Sequence, residues 1–362
     1  MGAEMTIGIV IVGIGVRGRQ WERVINESDA SHVSLVVDPA GRGGSNVPQV
    51  ASLDEVPPGI GIDAAIVASP PSNHADAVLW AVRRGIPVLC EKPLTESYVD
   101  SRKLVDSTLA LGGELSVGMN FRYVAAAQAL RRAVREERLG RLLFGSFTYI
   151  TNRDGRHPEL NDFPLWMHDP MLVEQTIHHL DLLRYAYQRR VVRVGAASWN
   201  PSTSVYRHDS CVAAILEFEG GVYASYLGTW TAGSRRMEYR WRTDFSDGVA
   251  VQEDPFGDLA VSSRVPGMWR TARPSQRDVE PLEWQGLPAG DEFHFETGQL
   301  LHEFEQSIAG RPSELPTAVD YLDTMLVLEA IRKAGGKRMW VEIAEVEMEE
   351  GTIDSVREGG EA

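Results

Sequence analysis

Three stretches of this 362-residue chain carry side chains whose types and spacing could do chemistry. The first is GIGVRG, with Gly13, Gly15 and Gly18. It follows the apolar run TIGIVIVG, opens the helical pattern RQWERVINES, and has Asp38 20 residues beyond its last glycine. In that context GxGxxG reads as a dinucleotide fingerprint. Gly13 permits the tight turn, Gly15 lets backbone approach a pyrophosphate, and Gly18 lets helix and strand pack closely. The helix start at Val16 and Arg17 then offers free N–H groups and a positive dipole end to the phosphates. Asp38 can accept hydrogen bonds from both ribose hydroxyls of NAD and repels the 2′-phosphate of NADP. Arg42 could offset that repulsion, so NAD is favoured, with NADP as the alternative.

The second stretch is Glu91-Lys92-Pro93, at the carboxyl end of the strand IPVLC. Ligands of open α/β sheets bind outside the carboxyl ends of strands. A lysine there, in a partly dry site, can exchange protons, and Pro93 biases Lys92 towards an extended backbone. On its own, EKP is more often a surface turn than a site.

The third is EQTIHHLD at 174–181. On a helix, Glu174, His178 and Asp181 share a face, and His179 is rotated by about 100° from His178. The two histidines therefore cannot chelate one ion from this helix. No HExxH is present and no Cys joins them, so no metal is expected. A core histidine and a solvated carboxylate are the plain alternative.

Strands alternating with helices place the first two stretches. TIGIVIVG, HVSLVVD, AAIVASP, IPVLCEKP and ELSVGMN read as buried parallel strands. SNHADAVLWAVRRG and ESYVDSRKLVDSTLALGG read as helices, the former closed by Gly85. This is the pattern of a doubly wound parallel sheet. Ser69, Pro70, Asn73 and His74 follow the third strand and would line the adenine–ribose or pyrophosphate side. Asn120, Arg122 and Tyr123 follow the fifth and could touch nicotinamide or substrate. Beyond residue 140 the chain is β-rich, and Gly220–Gly221 reads as a hairpin turn. Arg156, His157, Trp166 and His168 fall in a long loop, 151–170, of the kind that tends to carry function.

A net charge of −15 argues against nucleic acid and against an anionic membrane surface. The apolar N-terminal stretch is too short to span a bilayer and runs into the glycine turn. Two distant cysteines, Cys90 and Cys211, give neither a disulfide framework nor a zinc knuckle, so buried thiols and a cytoplasmic location are expected. The acidic run EIAEVEMEE at 342–350 reads as a strand and solvated tail, and the last dozen residues as frayed.

GIGVRG, SPPSNHADAV, VLCEKPLTES and EQTIHHLDLLRY, in this order and spacing, resemble the Gfo/Idh/MocA family, the relatives of glucose–fructose oxidoreductase and inositol dehydrogenase. The resemblance covers nearly the whole chain and is weakest over 231–292. It implies an α/β fold. An N-terminal Rossmann domain, residues 1–122, would precede a C-terminal α/β domain, residues 123–362, with a large, mostly antiparallel open sheet. It also implies a homodimer or homotetramer through that sheet. The lysine of EKP and an Asp-xxx-His pair on the later helix surround the substrate carbon in the family. Carried over, these positions are Lys92, Glu174 and His178. Glu174 stands where many members have Asp.

The implied activity is NAD(P)-dependent oxidation of a secondary alcohol of a sugar, sugar acid or cyclitol to a ketone. His178 would take the hydroxyl proton. Lys92 would bond the same oxygen and stabilise developing negative charge, and Glu174 would orient the imidazole. Lys92 as the base is the alternative. Substrate contacts would come from Lys92, Arg122, Tyr123, Arg156, Trp166 and His178, and cofactor contacts from the glycine turn, Asp38, the 69–74 group, Glu91, Lys92 and Asn120. The same scaffold can instead run redox-neutral chemistry through a transient ketone, or act as a cofactor-binding regulator.

Overall fold

The Ile- and Val-rich run near the N-terminus forms the centre of a six-stranded parallel sheet in the computed structural model. The structure describes residues 6–41, 47–153, 163–234, 236–263, 283–285, 292–337 and 339–358. The strands are β1 (Ile7–Val12), β2 (Ser31–Val37), β3 (Gln49–Val50), β4 (Ala64–Val67), β5 (Val88–Cys90) and β6 (Leu115–Val117). Their order is β3-β2-β1-β4-β5-β6, every pairing parallel. Helices α1 (Val16–Asn26), α2 (His74–Val82) and α3 (Tyr98–Ala110) connect them. Ile9, Val10, Ile11, Ala64, Ala65 and Ile66 are fully buried, because parallel strands covered by helices on both faces have no solvent side. Strand order reverses between β1 and β4, the switch point where such sheets bind ligands. The five expected strands are all present. The sixth, β3, has only two residues and leaves no periodic trace in the sequence.

The second sheet has nine strands: β7 (Leu142–Ile150), β8 (Val191–Trp199), β9 (Cys211–Phe218), β10 (Val222–Thr229), β11 (Glu238–Phe245), β12 (Gly248–Gln252), β13 (Leu259–Ser263), β14 (Glu283–Gln285) and β15 (Trp340–Glu342). The order is β14-β13-β12-β11-β7-β10-β9-β8-β15. Among the described residues of this sheet only β10 and β7 pair in parallel. The β9–β10 hairpin turns at Gly220 and Gly221, with φ of +78° and +73°, in the left-handed region that glycine adopts without strain.

Helices α4 (Ala125–Arg135), α5 (Ile177–Tyr187), α6 (Glu292–Ile308), α7 (Ala318–Lys337) and α8 (Ile343–Glu358) complete the chain. The acidic segment after 342 is therefore helix and not a solvated tail. Ile343 and Val346, three apart on one face, are buried beneath the acidic residues, and Glu, Ala and Met are strong helix formers. Both cysteines are buried and unpaired.

The strands divide near residue 122, but the packing does not. Leu300, Leu301 and Phe304 of α6 join Ile9, Ile11, Trp21 and Ile25 in one buried cluster. Buried Glu305 of the same helix accepts hydrogen bonds from Ser28 and Ser31 at 2.7 and 2.6 Å. The first layer is thus completed by a helix from the far end of the chain. Among the described residues no helix is long and apolar enough to cross a membrane.

Candidate active site

Each glycine of the turn has its own physical reason. Gly13 has φ +92°, and a Cβ there would lie 2.6 Å from the Ser69 backbone. A Cβ on Gly18 would lie 2.0 Å from the Gly13 carbonyl oxygen. These two glycines let α1 and the β4 loop close on the turn. Gly15 differs, because a Cβ there would meet nothing within 4 Å. Open space therefore stands in front of its backbone, and α1 begins at Val16 with no side chain capping its free N–H groups. That combination fits a pyrophosphate. Asp38, just past β2, closes the other end. Its Oδ2 accepts from Ile14 N at 3.0 Å and its Oδ1 from Ala40 N at 2.8 Å. Its carboxylate thereby stands at the end of β2 beside the glycine turn, the place where a ribose would lie. Two more groups fit a polar ligand: Ser69 Oγ and Asn120 Nδ2 are buried at the ends of β4 and β6 without a hydrogen-bond partner.

Several expected cofactor contacts have other occupations. Glu91 is buried, and a buried carboxylate needs partners. It takes them from α1: Arg17 Nε at 2.8 Å and Trp21 Nε1 at 2.9 Å. Arg17 also bonds Gln20 at 2.7 Å. Glu91 and the Arg17 side chain thus hold the EKP turn against α1. His74 is buried, with Nε2 2.8 Å from Ser69 O and Nδ1 3.0 Å from Pro93 O. It ties the β4 loop to the EKP turn. Pro70 and Asn73 lie exposed on that loop. Arg42 lies outside the described residues.

Lys92 is the centre of the cleft. Its Nζ donates to the Glu174 carbonyl oxygen at 2.9 Å and pairs with the Glu174 carboxylate at 3.3 Å, both side chains largely shielded. The expectation that Glu174 orients His178 is therefore corrected. The reason is local geometry: Leu172–Thr176 is a π-helical turn leading into α5. A π turn closes i→i+5, so residues four apart across it no longer stack as on an α-helix. Among the described residues no carboxylate pairs with His178, and its Nδ1 is buried without a hydrogen-bond partner. Its ring stacks on Phe121 at 4.4 Å between centroids, 23° between planes.

Burial holds His178 well below the usual imidazole range, and the nearby Lys92, His179 and Arg17 push the same way. His179 is lowered to about 3 by burial alone. It packs on Phe147 at 4.4 Å and lies 3.0 Å from the Tyr226 hydroxyl, outside the cleft. Both histidines fold neutral, whereas the unfolded chain binds their protons near pH 6.5. Their stabilising contribution is complete above that pH and declines as pH falls towards the folded values. The melting temperature should fall between pH 7 and 4, and His179→Gln should make that slope shallower. Equal slopes for the two proteins would refute this.

Arg122 and Tyr123, expected near nicotinamide or substrate, both have protein partners. Arg122 grips Asp181 of α5 with Nε at 2.6 Å and NH2 at 2.5 Å, and also binds Asp320. The Tyr123 hydroxyl donates to Glu314 O at 3.0 Å. A buried guanidinium needs a carboxylate, and Asp181 points to it, so Asp181 does not join Glu174 and His178 at the cleft. Trp166 is 65% exposed. His168 stacks with His208 at 3.8 Å. Arg156 and His157 lie outside the described residues. Phe121 was not singled out from the sequence, though its place between Asn120 and Arg122 at a strand end was the available signal. Among the described residues no group of three or more His, Cys, Asp or Glu could hold a metal.

Comparison with known proteins agrees with this fold. Residues 7–119 match the Gfo/Idh/MocA domain described as oxidoreductase family, NAD-binding Rossmann fold. Residues 127–251 match the C-terminal domain of the same family. The chain is 26% identical over 277 residues to an inositol 2-dehydrogenase of Arthrobacter sp. (strain FB24), covering 73% of this chain and 78% of that protein. The fold resembles an oxidoreductase from Agrobacterium radiobacter solved with NAD+, L-tartaric acid and magnesium (TM-score 0.78, 15% identity, 94% of this chain and 99% of that one). It also resembles a myo-inositol dehydrogenase from Corynebacterium glutamicum ATCC 13032 (TM-score 0.74, 20% identity, 93% and 99%). With both domains matched in order along one chain, on the fold those structures share, this protein belongs to the Gfo/Idh/MocA family of NAD-binding oxidoreductases.

Proposed function

We propose that the chain oxidises a secondary alcohol of a sugar, sugar acid or cyclitol to a ketone, with NAD as hydride acceptor. The observation that carries this reading is Lys92, shielded at the end of β5, paired with Glu174 and within Coulombic reach of a neutral His178. An alcohol oxidation needs a hydride acceptor, a group to take the hydroxyl proton and a cation near the developing alkoxide. Bound NAD supplies the first. A neutral His178 can take the proton. Lys92 supplies the cation, and Glu174 fixes the direction of its Nζ. Asp38 favours NAD over NADP through its negative charge, which repels a 2′-phosphate. The inositol 2-dehydrogenase relatives support a polyol substrate.

The test mixes NAD or NADP with inositols, aldoses, polyols and sugar acids and follows reduced nicotinamide by absorbance. NADH formation with one class supports the reading and narrows the substrate. No NADH with any class, and NAD released only on denaturation, would replace it with redox-neutral chemistry.

The outer face of the second sheet belongs to the same proposal, as an interface between copies of this chain. Phe144, Ile215 and Tyr223 are 50%, 48% and 39% exposed. They sit together, because Tyr223 is in register with Phe144 and Ser225 with Ile215. A contiguous apolar patch on an open sheet marks an association surface. Light scattering should report a homo-oligomer, and Ile215→Glu with Tyr223→Glu should convert it to monomer. A wild-type monomer would end this part of the proposal.

A further inference from the structure

If His178 takes the proton, something other than Glu174 must set its orientation. We propose that Phe121, braced by Phe256, is the positioning residue that fixes the plane of the His178 imidazole. This rests on the reading of His178 given above, and it deepens that reading.

The geometry closes in a loop. Asn120–Tyr123 form a single turn after β6. Arg122 in that turn clasps Asp181, three residues past His178 on α5. The neighbouring Phe121 is thereby laid against His178, at 4.4 Å and 23°. The turn thus touches α5 twice, once through an ion pair and once through a ring stack. Two contacts one helical turn apart fix both distance and rotation, which one contact cannot do.

Phe121 is supported in turn by Phe256, which meets it edge-on at 5.9 Å and 82°. Phe256 stands on a built turn between β12 and β13. Gln252, buried at the end of β12, donates through Nε2 to Pro255 O and Gly257 O, both at 3.1 Å, and accepts from the Tyr239 hydroxyl at 3.1 Å. Phe256 N donates to Asp254 Oδ1 at 3.0 Å. A buried amide spent on two loop carbonyls holds the tip of that turn in place.

A stacked face does two things to an imidazole. It blocks rotation about the terminal side-chain bond, and it keeps water off one side of the ring. The charged and titratable groups nearest the ring are Lys92, His179 and Arg17, with Glu174 beyond Lys92 and Asp181 one turn along. Among the described residues none of these is a carboxylate bonded to the ring, and the contact that faces it is the Phe121 stack.

The experiment compares wild type with Phe121→Leu, Phe121→Tyr and Phe256→Leu. His178 is titrated through its ring Cε1–H signal by NMR, and steady-state kinetics are measured with NAD and whichever panel substrate yields NADH with the wild type. Phe121→Leu should raise the His178 midpoint towards the ordinary imidazole value. It should lower kcat by about tenfold or more, the scale of a slightly misplaced reacting group, with the NAD dissociation constant unchanged. Phe121→Tyr should restore both, and Phe256→Leu should reproduce the defect in weaker form. The NMR titration needs no turnover. A raised midpoint with unaltered kcat would therefore keep the brace and sink His178 as the base. An unmoved midpoint with unaltered kcat would overturn the brace itself. Phe256→Leu lies on a different element, so it keeps the test available if Phe121→Leu fails to fold.

Discussion

Replacing Lys92 with Met should lower kcat by at least about 10², with NAD binding retained. Met keeps most of the unbranched stem and its packing, so the change isolates the ammonium. That ammonium is held by Glu174 at 2.9 and 3.3 Å, on the turn before His178, beside the imidazole whose proton affinity it lowers. Arg17 is spent on Glu91, and Arg122 on Asp181 and Asp320. A second effect follows from the same contact. Glu174 loses its charged partner in a shielded position, which costs on the order of 1–3 kcal/mol of stability. The double replacement Lys92→Met with Glu174→Gln should recover that stability and none of the turnover. If Lys92→Met keeps wild-type kcat, the proposed active site is wrong at its centre.

Replacing His178 with Ala should also lower kcat by at least about 10². The sign of its pH dependence separates the two candidate bases. Burial and Lys92 depress the proton affinity of His178, so its neutral form persists below pH 6.5 and wild-type turnover should hold down to more acid pH than a free imidazole allows. The alanine variant should lose that acid limb along with its rate. If instead it kept its rate and lost nothing at low pH, Lys92 would be the base.

The two predictions depend on contacts that differ in how far the sequence could announce them. The glycine turn was legible because its chemistry is local: a strand, three glycines and a helix start lie within 12 residues, from Ile7 to Gly18. The continuous apolar runs of β1, β2 and β4 were legible for the same reason. The Lys92–Glu174 pair joins residues 82 positions apart, and its geometry depends on a π turn that no α-helical spacing rule anticipates. Arg122 was misread because a strand-end arginine looks available until its partners are known, and Asp181 and Asp320 come from two later helices. His74 looked like a cofactor contact by position, while both its nitrogens face main-chain oxygens. The acidic tail was misread because composition outweighed two apolar residues at helical spacing.

Helix α6 has a consequence for how the chain comes into being. A ribosome releases the glycine turn and all six strands of the first sheet before residue 120, yet the cover for Ile9, Ile11, Trp21 and Ile25 arrives with Leu300, Leu301 and Phe304. Each of those three late side chains contributes about 1.5–3 kcal/mol on burial. Until they emerge, the nascent first domain presents an apolar face to its surroundings. Its maturation is therefore timed by the completion of the second domain, and a nascent chain arrested near residue 290 should bind chaperones that one released past residue 310 does not.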